Sequence, residues 1–340
     1  MIDGRIVVDA VVHPYNLAPE NQEPAAQAQI DAVYAAHTVA TVPEDADFRL
    51  APEEFFSDFP FEAMARSLFV ESPIDVAVIH ALPNLGFAKG YVTDPWRAAA
   101  FRDRHPGRFL LYGTVDTPLV DTAVAQLERQ VEELAIDGLK VYPSFFYDGL
   151  AEGWRLDGDD YATPLLEAAR DLGIRNVAIH KALWLPPAPR DAFRVEDLEM
   201  PLGRFPELNF HIVHAGMAFV EETCALLRDH ANLHATLEST FMYVNVHPER
   251  FAGVLERLLE AAGSERLMFG SGSNLMHPRP LLDAFAEFDL ARDDRANILG
   301  ANVLRVHGLD EHALLERVSA DEYATADRAG PWSGVRAGAA

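Results

Sequence analysis

Two short apolar runs, each ending in a histidine, constrain the fold of this 340-residue chain more than any other feature. Residues 176–179 are followed by His180, and residues 210–213 by His214. A continuous apolar run of four or five residues, bounded by turn residues, is typical of a buried parallel strand. Parallel α/β barrels place their chemistry at the carboxyl ends of such strands. We therefore predict that both imidazoles converge on one metal ion, the alternative being two hydrogen-bonded core histidines.

Further apolar runs alternate with helical patterns along the chain. The predicted strands cover residues 5–13, 75–79, 108–115, 137–142, 176–179, 210–213, 233–237 and 266–271. Eight strands that alternate with helices are the pattern of a (β/α)8 TIM barrel. We predict a single barrel over residues 1–318, with a long excursion at 14–60 after the first strand. Residues 319–340 lose the periodicity and are predicted to be a C-terminal extension.

The composition excludes several classes of protein. Asp and Glu number 53 against 28 Lys and Arg, a formal net charge of −25, which argues against a nucleic-acid partner. Cys224 is the single cysteine, so neither an intrachain disulfide nor a cysteine-based metal site is expected. The sequence has no apolar stretch of about 18 residues and no signal-peptide pattern, so we expect a cytoplasmic protein without a membrane span.

Polar side chains stand at the carboxyl ends of the predicted strands, which a barrel brings to one mouth. Histidine and carboxylate ligands suit Fe, Mn or Zn better than Mg or Ca. The predicted metal ligands are His13, His80, His180, His214, Glu238 and His277. Lys140 and Tyr142 share one face of the fourth strand and are predicted to hold ligands or substrate in place.

Structural roles without a metal are the alternative for the candidate ligands outside the two strands that end in His180 and His214. His13 would merely cap the turn that it begins, and His80 would be a hydrogen-bonded loop histidine. Glu238 would pair with a neighbouring cation, although a buried acid is costly unless it is paired or bound to a metal. His277 lies six residues beyond the eighth strand, so its position at the mouth is ambiguous.

The chain resembles the amidohydrolase superfamily over residues 5–310, specifically the branch related to aminocarboxymuconate semialdehyde decarboxylase. The motifs that carry the resemblance are IHKAL in the fifth strand, HIVHAG in the sixth, RLMFGS in the eighth and the closing NILGANVLRVHGL. In that family the first strand carries a His-x-His pair and the eighth ends in a metal-binding Asp. Here Val11 and Gly272 stand at two of these positions. The family's remaining histidines are matched by His13, His180 and His214.

The rearranged set of candidate ligands is similar to a group of amidohydrolase-fold, non-haem dimetal monooxygenases, which includes the diiron hydroxylase of platensimycin and platencin biosynthesis. The resemblance implies a His-rich centre with two Fe per chain, or Fe and Mn, together with O2 and an electron donor. It also implies hydroxylation of an unactivated C–H bond in a bulky apolar or coenzyme A-linked substrate, such as a diterpenoid. Our leading hypothesis is therefore an O2-dependent hydroxylase, expected by analogy to be a homodimer.

Two other functions remain open at this point. The first is a metal-dependent hydrolase or decarboxylase with one metal ion, which would be Zn in a hydrolase. The second is a non-enzymatic barrel subunit with a structural zinc that supports an active partner chain. The three hypotheses differ in their need for redox metal and O2, so metal identity and O2 dependence distinguish them.

Overall fold

The computed structural model describes residues 1–39, 48–147, 150–273 and 275–324. Parts of the predicted excursion (40–47) and of the C-terminal extension (325–340) lie outside the described residues. Within them the strands are β1 Val8–Val12, β2 Val76–His80, β3 Phe109–Thr114, β4 Gly138–Val141, β5 Ser144–Tyr147, β6 Leu150–Gly153, β7 Asn176–His180, β8 Asn209–Val213, β9 Leu233–Thr236 and β10 Leu267–Met268.

The helices lie mainly between the strands and cover the outside of the sheet. They are α1 Gln27–Tyr34, α2 Pro52–Phe55, α3 Phe61–Phe69, α4 Pro95–Arg102, α5 Val120–Leu134, α6 Ala162–Asp171, α7 Glu199–Arg204, α8 Val220–Asp229, α9 Tyr243–Val246, α10 Pro248–Ala262, α11 Pro278–Ala286, α12 Arg292–Ala296, α13 Asn302–Val306 and α14 Glu311–Ala320. Asp94 caps α4, because its Oδ1 accepts a hydrogen bond of 2.9 Å from the Arg97 amide.

Eight strands form one sheet in the order β1-β2-β3-β4-β7-β8-β9-β10, and each neighbouring pair is parallel. The first and last strands are joined by backbone hydrogen bonds, 2.9 Å from Ala10 N to Phe269 O and 3.0 Å from Gly272 N to Val11 O. The predicted (β/α)8 barrel is confirmed. Its strands are buried on both faces, which is why they read as continuous apolar runs.

Two features of the fold differ from the prediction. β5 and β6 pair as an antiparallel hairpin outside the barrel, in a stretch where the sequence analysis predicts no strand. An Asp-Gly dipeptide stands between the two strands in the sequence, and this dipeptide favours a hairpin turn. The last strand is only two residues long, against the predicted 266–271, because the chain beyond Met268 pairs with the first strand through isolated hydrogen bonds.

The start of the predicted C-terminal extension packs against the barrel. Asp321 accepts a hydrogen bond of 3.1 Å from Arg108 Nε and lies 3.2 Å from His105 Nδ1. The division into a barrel at 1–318 and an extension remains a prediction. Across the residues that the structure describes, no helix has both the length and the apolar character required to cross a membrane.

Candidate active site

A small chamber lies at the carboxyl ends of the barrel strands. His13 directly follows β1, His180 ends β7, His214 follows β8, and Glu238 lies two residues beyond β9. Because His180 is opposite Val213 in the parallel register, His214 is one residue nearer the mouth. All four side chains are buried and line the same chamber. The structure thus brings together four of the six predicted metal ligands.

Two of these histidines are oriented by backbone carbonyl groups. His13 Nδ1 lies 3.1 Å from His80 O, and His180 Nε2 lies 2.8 Å from Leu183 O. A carbonyl oxygen only accepts, so each of these nitrogens carries hydrogen and the other ring nitrogen carries the lone pair. Burial lowers the pKa of His13 to about 3 and that of His180 well below its usual value, so both rings are neutral at pH 7.

His214 connects His180 to Glu238. His214 Nε2 lies 3.0 Å from His180 Nδ1, which is an acceptor because the other nitrogen of His180 donates to Leu183. His214 Nε2 is therefore the donor. His214 Nδ1 forms an ion pair with Glu238 Oε2 and lies 3.2 Å from Ser239 Oγ. Both nitrogens of His214 then face acceptors, so a proton that joins this ring is held between His180 and the Glu238 carboxylate.

Glu238 is the carboxylate of the chamber floor. Burial alone disfavours its charged form, but the neighbouring His214 and His13 outweigh that effect and lower its pKa to about 2. Ser239 Oγ lies 3.0 Å from both carboxylate oxygens and donates to this group. Glu238 is thus ionised at neutral pH although the residue is only 2% exposed.

Gly272 provides the space that the Glu238 carboxylate occupies. A Cβ atom on Gly272 would overlap Glu238 Oε1 and lie 3.2 Å from Glu238 Cδ. The residue also has a φ of +67°, in the left-handed region that favours glycine. The amidohydrolase pattern places a metal-binding Asp at this position of the eighth barrel strand. In this chain, a carboxylate from the seventh barrel strand lies where that side chain would start.

Tyr142 and Lys140, predicted to hold ligands or substrate, have different positions. Tyr142 lines the chamber and stacks on His180 with ring centroids 4.7 Å apart. Lys140 is fully buried, with Nζ 4.8 Å from the centroid of the Tyr142 ring. Its Nζ has no hydrogen-bond partner among the described residues, and burial lowers its pKa to about 7. Lys140 is therefore not among the described residues that line the chamber, although its charge acts on His13, His180 and Glu238.

The other two predicted ligands, His80 and His277, do not line the chamber formed by the described residues. His80 stacks on Tyr112 in the barrel interior, with ring centroids 4.7 Å apart. His277 caps α11: its Nδ1 accepts from the Arg279 amide at 3.2 Å, and its Nε2 lies 3.1 Å from Glu71 Oε2. The loop after the last strand carries His277 away from the mouth, so strand position alone misplaces it.

The polar residues that line the chamber and that the sequence analysis does not single out include His37 and Tyr15. His37 belongs to a π-helical segment, Ala35–Val39, within the 14–60 excursion. No periodic pattern relates this segment to the barrel mouth. Tyr15 follows His13 by two residues, with their ring centroids 5.3 Å apart, so its closeness to a candidate ligand was a usable signal.

The donor chemistry of the floor fits a first-row transition metal. His13 has one nitrogen held by a backbone carbonyl and a lone pair on the other, the usual arrangement of metal-binding histidines. His180 is held in the same way, but its lone pair accepts from His214 Nε2. Glu238 adds a buried negative charge that a cation would stabilise. As they stand in the described ranges, however, no three His, Cys, Asp or Glu side chains form a group arranged to hold a metal ion. The residues therefore fit a metal ion in the type of donor atoms that they offer.

Comparison with protein families identifies the class of this barrel. The amidohydrolase family model matches residues 8–309. The chain belongs to the amidohydrolase family. A comparison with curated protein sequences found no match.

Three similar solved structures share this fold. An uncharacterized TIM-barrel protein from Bordetella bronchiseptica is 18% identical with a TM-score of 0.68, over 92% of this chain and 99% of that one. 2,6-Dihydroxybenzoate decarboxylase from Rhizobium is 17% identical with a TM-score of 0.60, over 89% and 99%. A dihydroxybenzoic acid decarboxylase from Polaromonas, with bound manganese and 2-nitroresorcinol, is 15% identical with a TM-score of 0.60, over 92% and 99%.

These findings correct the leading hypothesis from the sequence. The structural neighbours with a named activity are decarboxylases and a protein assigned as a hydrolase, and they contradict the expected diiron monooxygenase. The presence of six scattered candidate ligands carried that expectation, and two of the six are now accounted for by contacts outside the chamber. The alternative reading, a metal-dependent decarboxylase or hydrolase, agrees better with the neighbours.

Proposed function

We propose that this protein is a metal-dependent decarboxylase of the amidohydrolase class that acts on a small, mostly apolar carboxylic acid. The observation that carries the proposal is the hydrogen-bonded series His180–His214–Glu238 on the floor of the chamber. Decarboxylation replaces CO2 by a proton at carbon, so the site must hold a proton next to the reacting carbon. A proton on His214, paired with the Glu238 carboxylate, meets this need.

The candidate ligands for the metal are His13 and Glu238, and His180 joins them where the metal replaces the hydrogen bond from His214 Nε2. Manganese is the metal named with the Polaromonas decarboxylase, and these donors suit Mn, Fe or Zn. A divalent cation bound there supplies positive charge for the substrate carboxylate and for the electron pair left after C–C cleavage. His80 O and Leu183 O keep the two imidazoles in the required tautomers.

The residues of this chain then bind, desolvate and protonate the substrate. The C–C bond to the carboxylate breaks, CO2 leaves, and the electron pair remaining on carbon takes the proton held by His214. Glu238 stabilises the imidazolium beforehand, and Ser239 keeps the carboxylate in position. The chamber walls around the carboxylate are mainly aliphatic and aromatic, so they exclude water from the reacting group.

The same geometry argues against a hydrolase. A metal-dependent hydrolase needs a carboxylate or imidazole that accepts a proton from water. Glu238 is engaged by both His214 and Ser239, which leaves it poorly placed to accept that proton.

The test measures CO2 release by manganese-loaded protein from a panel of small aromatic acids that includes 2,6-dihydroxybenzoate. We expect release that a chelator abolishes and that Mn²⁺ restores. His214→Asn removes the proton carrier and is expected to lower kcat by about 100-fold or more. His312→Asn is the matched control, because the His312 side chain is 85% exposed. Product formation that survives the chelator, or that persists in His214→Asn, contradicts the proposal.

A further inference from the structure

Tyr142 is held at the edge of the chamber floor by contacts that its ring makes. The ring stacks on His180, with centroids 4.7 Å apart and an angle of 28° between the planes. Lys140 Nζ lies 4.8 Å from the centroid of the same ring. Tyr142 directly follows β4, lines the chamber and is only 7% exposed. Two neighbours from the barrel strands thus hold this ring beside the candidate metal ligands.

The hydroxyl group of Tyr142 takes no part in these ring contacts. Among the residues that the structure describes it forms no hydrogen bond, and unlike Lys140 Nζ it is not fully enclosed by protein atoms. The hydroxyl is therefore open to the chamber that Tyr142 lines. A phenol is protonated at neutral pH, and burial together with the charge of Glu238 raises the pKa of Tyr142 further. The group can thus donate a hydrogen bond to a ligand.

The other polar groups of the floor are engaged with one another. His214 contacts both His180 and Glu238, and Ser239 donates to the Glu238 carboxylate. None of the described residues that line the chamber is a lysine or an arginine. A substrate carboxylate has two oxygens that lose their hydration in this chamber, so each needs a donor or a cation. A metal ion on the floor serves one oxygen, and the Tyr142 hydroxyl is placed to serve the other.

We infer that Tyr142 binds the substrate by donating a hydrogen bond to the carboxylate that leaves as CO2. When the C–C bond breaks, its electron pair stays on carbon, so the carboxylate loses its negative charge and CO2 leaves uncharged. The hydrogen bond from Tyr142 is therefore strongest in the bound substrate and weakens towards the transition state. Tyr142 selects carboxylates at the binding step. This inference rests on the proposed function, because the floor is assigned to the reacting carboxylate.

The first experiment measures binding by titration calorimetry with manganese-loaded protein. Benzoate is compared with nitrobenzene, which has the same shape but no net charge and is a weak hydrogen-bond acceptor. In Tyr142→Phe, which removes only the hydroxyl, we expect benzoate to bind about 10- to 100-fold more weakly, because a hydrogen bond to a charged group is lost. Nitrobenzene should bind to this variant within about 2-fold of its affinity for the wild type.

The second experiment separates binding from the chemical step by steady-state kinetics with the best acid of the CO2-release panel. Tyr142→Phe should raise KM by about 10- to 100-fold and leave kcat at or above the wild-type value, because the lost interaction is stronger in the bound substrate. Tyr161→Phe is the matched control. It removes a hydroxyl that donates to Thr117 O at 2.8 Å and that lies outside the chamber formed by the described residues, so affinities and kinetics should not change.

The outcomes distinguish this inference from the proposed function. Equal losses for benzoate and nitrobenzene, no loss for benzoate, or failure of benzoate to bind the wild type each overturn the inference. A fall in kcat of about 100-fold at unchanged KM also overturns it, because Tyr142 would then be a proton donor. If Tyr142→Phe weakens benzoate selectively but no acid is decarboxylated, the function fails and the Tyr142 contact stands. If CO2 is released with KM unchanged in Tyr142→Phe, the contact fails and the function stands.

Discussion

The barrel carries histidines in two layers, and only the upper layer forms a candidate site. At the mouth, His13, His180, His214 and the Glu238 carboxylate line one chamber. In the interior below, His211 and His234 stack with ring centroids 5.3 Å apart, and His211 Nε2 lies 3.2 Å from Asn176 Oδ1. The number of histidines is therefore a poor guide to function in this chain.

The two layers differ in electrostatics as well as in access. The mouth contains Glu238, whose charge is stabilised by the adjacent imidazoles. In the lower layer, burial lowers the pKa of His211 well below its usual value and that of His234 to about 4, with neighbouring histidine or arginine charges adding to the effect. The lower histidines are thus neutral, tightly packed and away from the chamber. The candidate site is therefore the layer that has both a carboxylate and an open chamber.

The largest expected effect comes from removing that carboxylate. Glu238→Gln keeps the shape of the side chain but leaves His214 without its anionic partner, so the proton is held less firmly. We expect kcat for decarboxylation to fall by about 100-fold or more and bound manganese to decrease. Kinetics and elemental analysis measure the two effects. His234→Gln in the lower layer is the matched control, and an equal loss in both variants would remove the distinction between the layers.

The second prediction moves the carboxylate between neighbouring strands. Gly272→Asp alone should lose activity and metal, because its Cβ overlaps Glu238 Oε1. Combined with Glu238→Gly, the same substitution has space for its side chain and supplies a new carboxylate at the mouth. We expect the double variant to bind more manganese than either single variant, with a coupling in stability of about 1 kcal/mol or more. Thermal unfolding and elemental analysis test this, and strict additivity would contradict it.

The sequence predicts the barrel and the core of its site for one physical reason. Strands buried on both faces are continuous apolar runs, so their ends are visible, and the barrel fixes which end is the mouth. His13, His180, His214 and Glu238 all follow from this rule. It fails for His277, because a loop of several residues has no fixed direction relative to its strand.

The remaining parts of the site depend on packing that a sequence pattern does not encode. His37 reaches the chamber because α1 packs its Ile30 against apolar residues from other loops, including Phe87 and Leu275. The absence of a side chain at Gly272 is informative only when the structure shows that Glu238 lies beside it. Neither of these two contacts follows from a regular spacing of residues in the sequence. The incorrect hydroxylase hypothesis arose from the same limit, because six ligand-type residues were counted before their distances were known.

The third prediction concerns acid sensitivity of the lower layer. Burial lowers the pKa of His234 to about 4, with nearby arginines contributing, against about 6.5 in the unfolded chain. Between these pH values the unfolded chain binds more protons, so the free energy of unfolding falls as pH falls. The expected contribution is up to about 1.4 kcal/mol per pH unit. His234→Gln should flatten the dependence seen in denaturant titrations from pH 6.5 to 4.5, whereas an unchanged slope would exclude a buried neutral His234.

The smallest expected effect is a gain in stability at Lys140, the interior cation below Tyr142. Its Nζ has no hydrogen-bond partner in the described ranges, and burial lowers its pKa to about 7 despite attraction by Glu238. Lys140→Met removes the cost of burying this amine, so the free energy of unfolding at pH 7 should rise by about 1 kcal/mol. The unfolded chain keeps its lysine charged up to about pH 10.4, so the gain should shrink as pH rises from 7 towards that value.

A second buried lysine provides the matched control of opposite sign. Lys181 is equally inaccessible, but its Nζ lies 2.8 Å from Asp197 Oδ2. Lys181→Met leaves that carboxylate buried without its cation and should destabilise the protein by about 3–5 kcal/mol. Denaturant unfolding of both variants gives the comparison. If Lys140→Met destabilises the protein as Lys181→Met does, the Lys140 amine has a partner, and if it abolishes decarboxylation with the fold intact, the interior layer takes part in the chemistry.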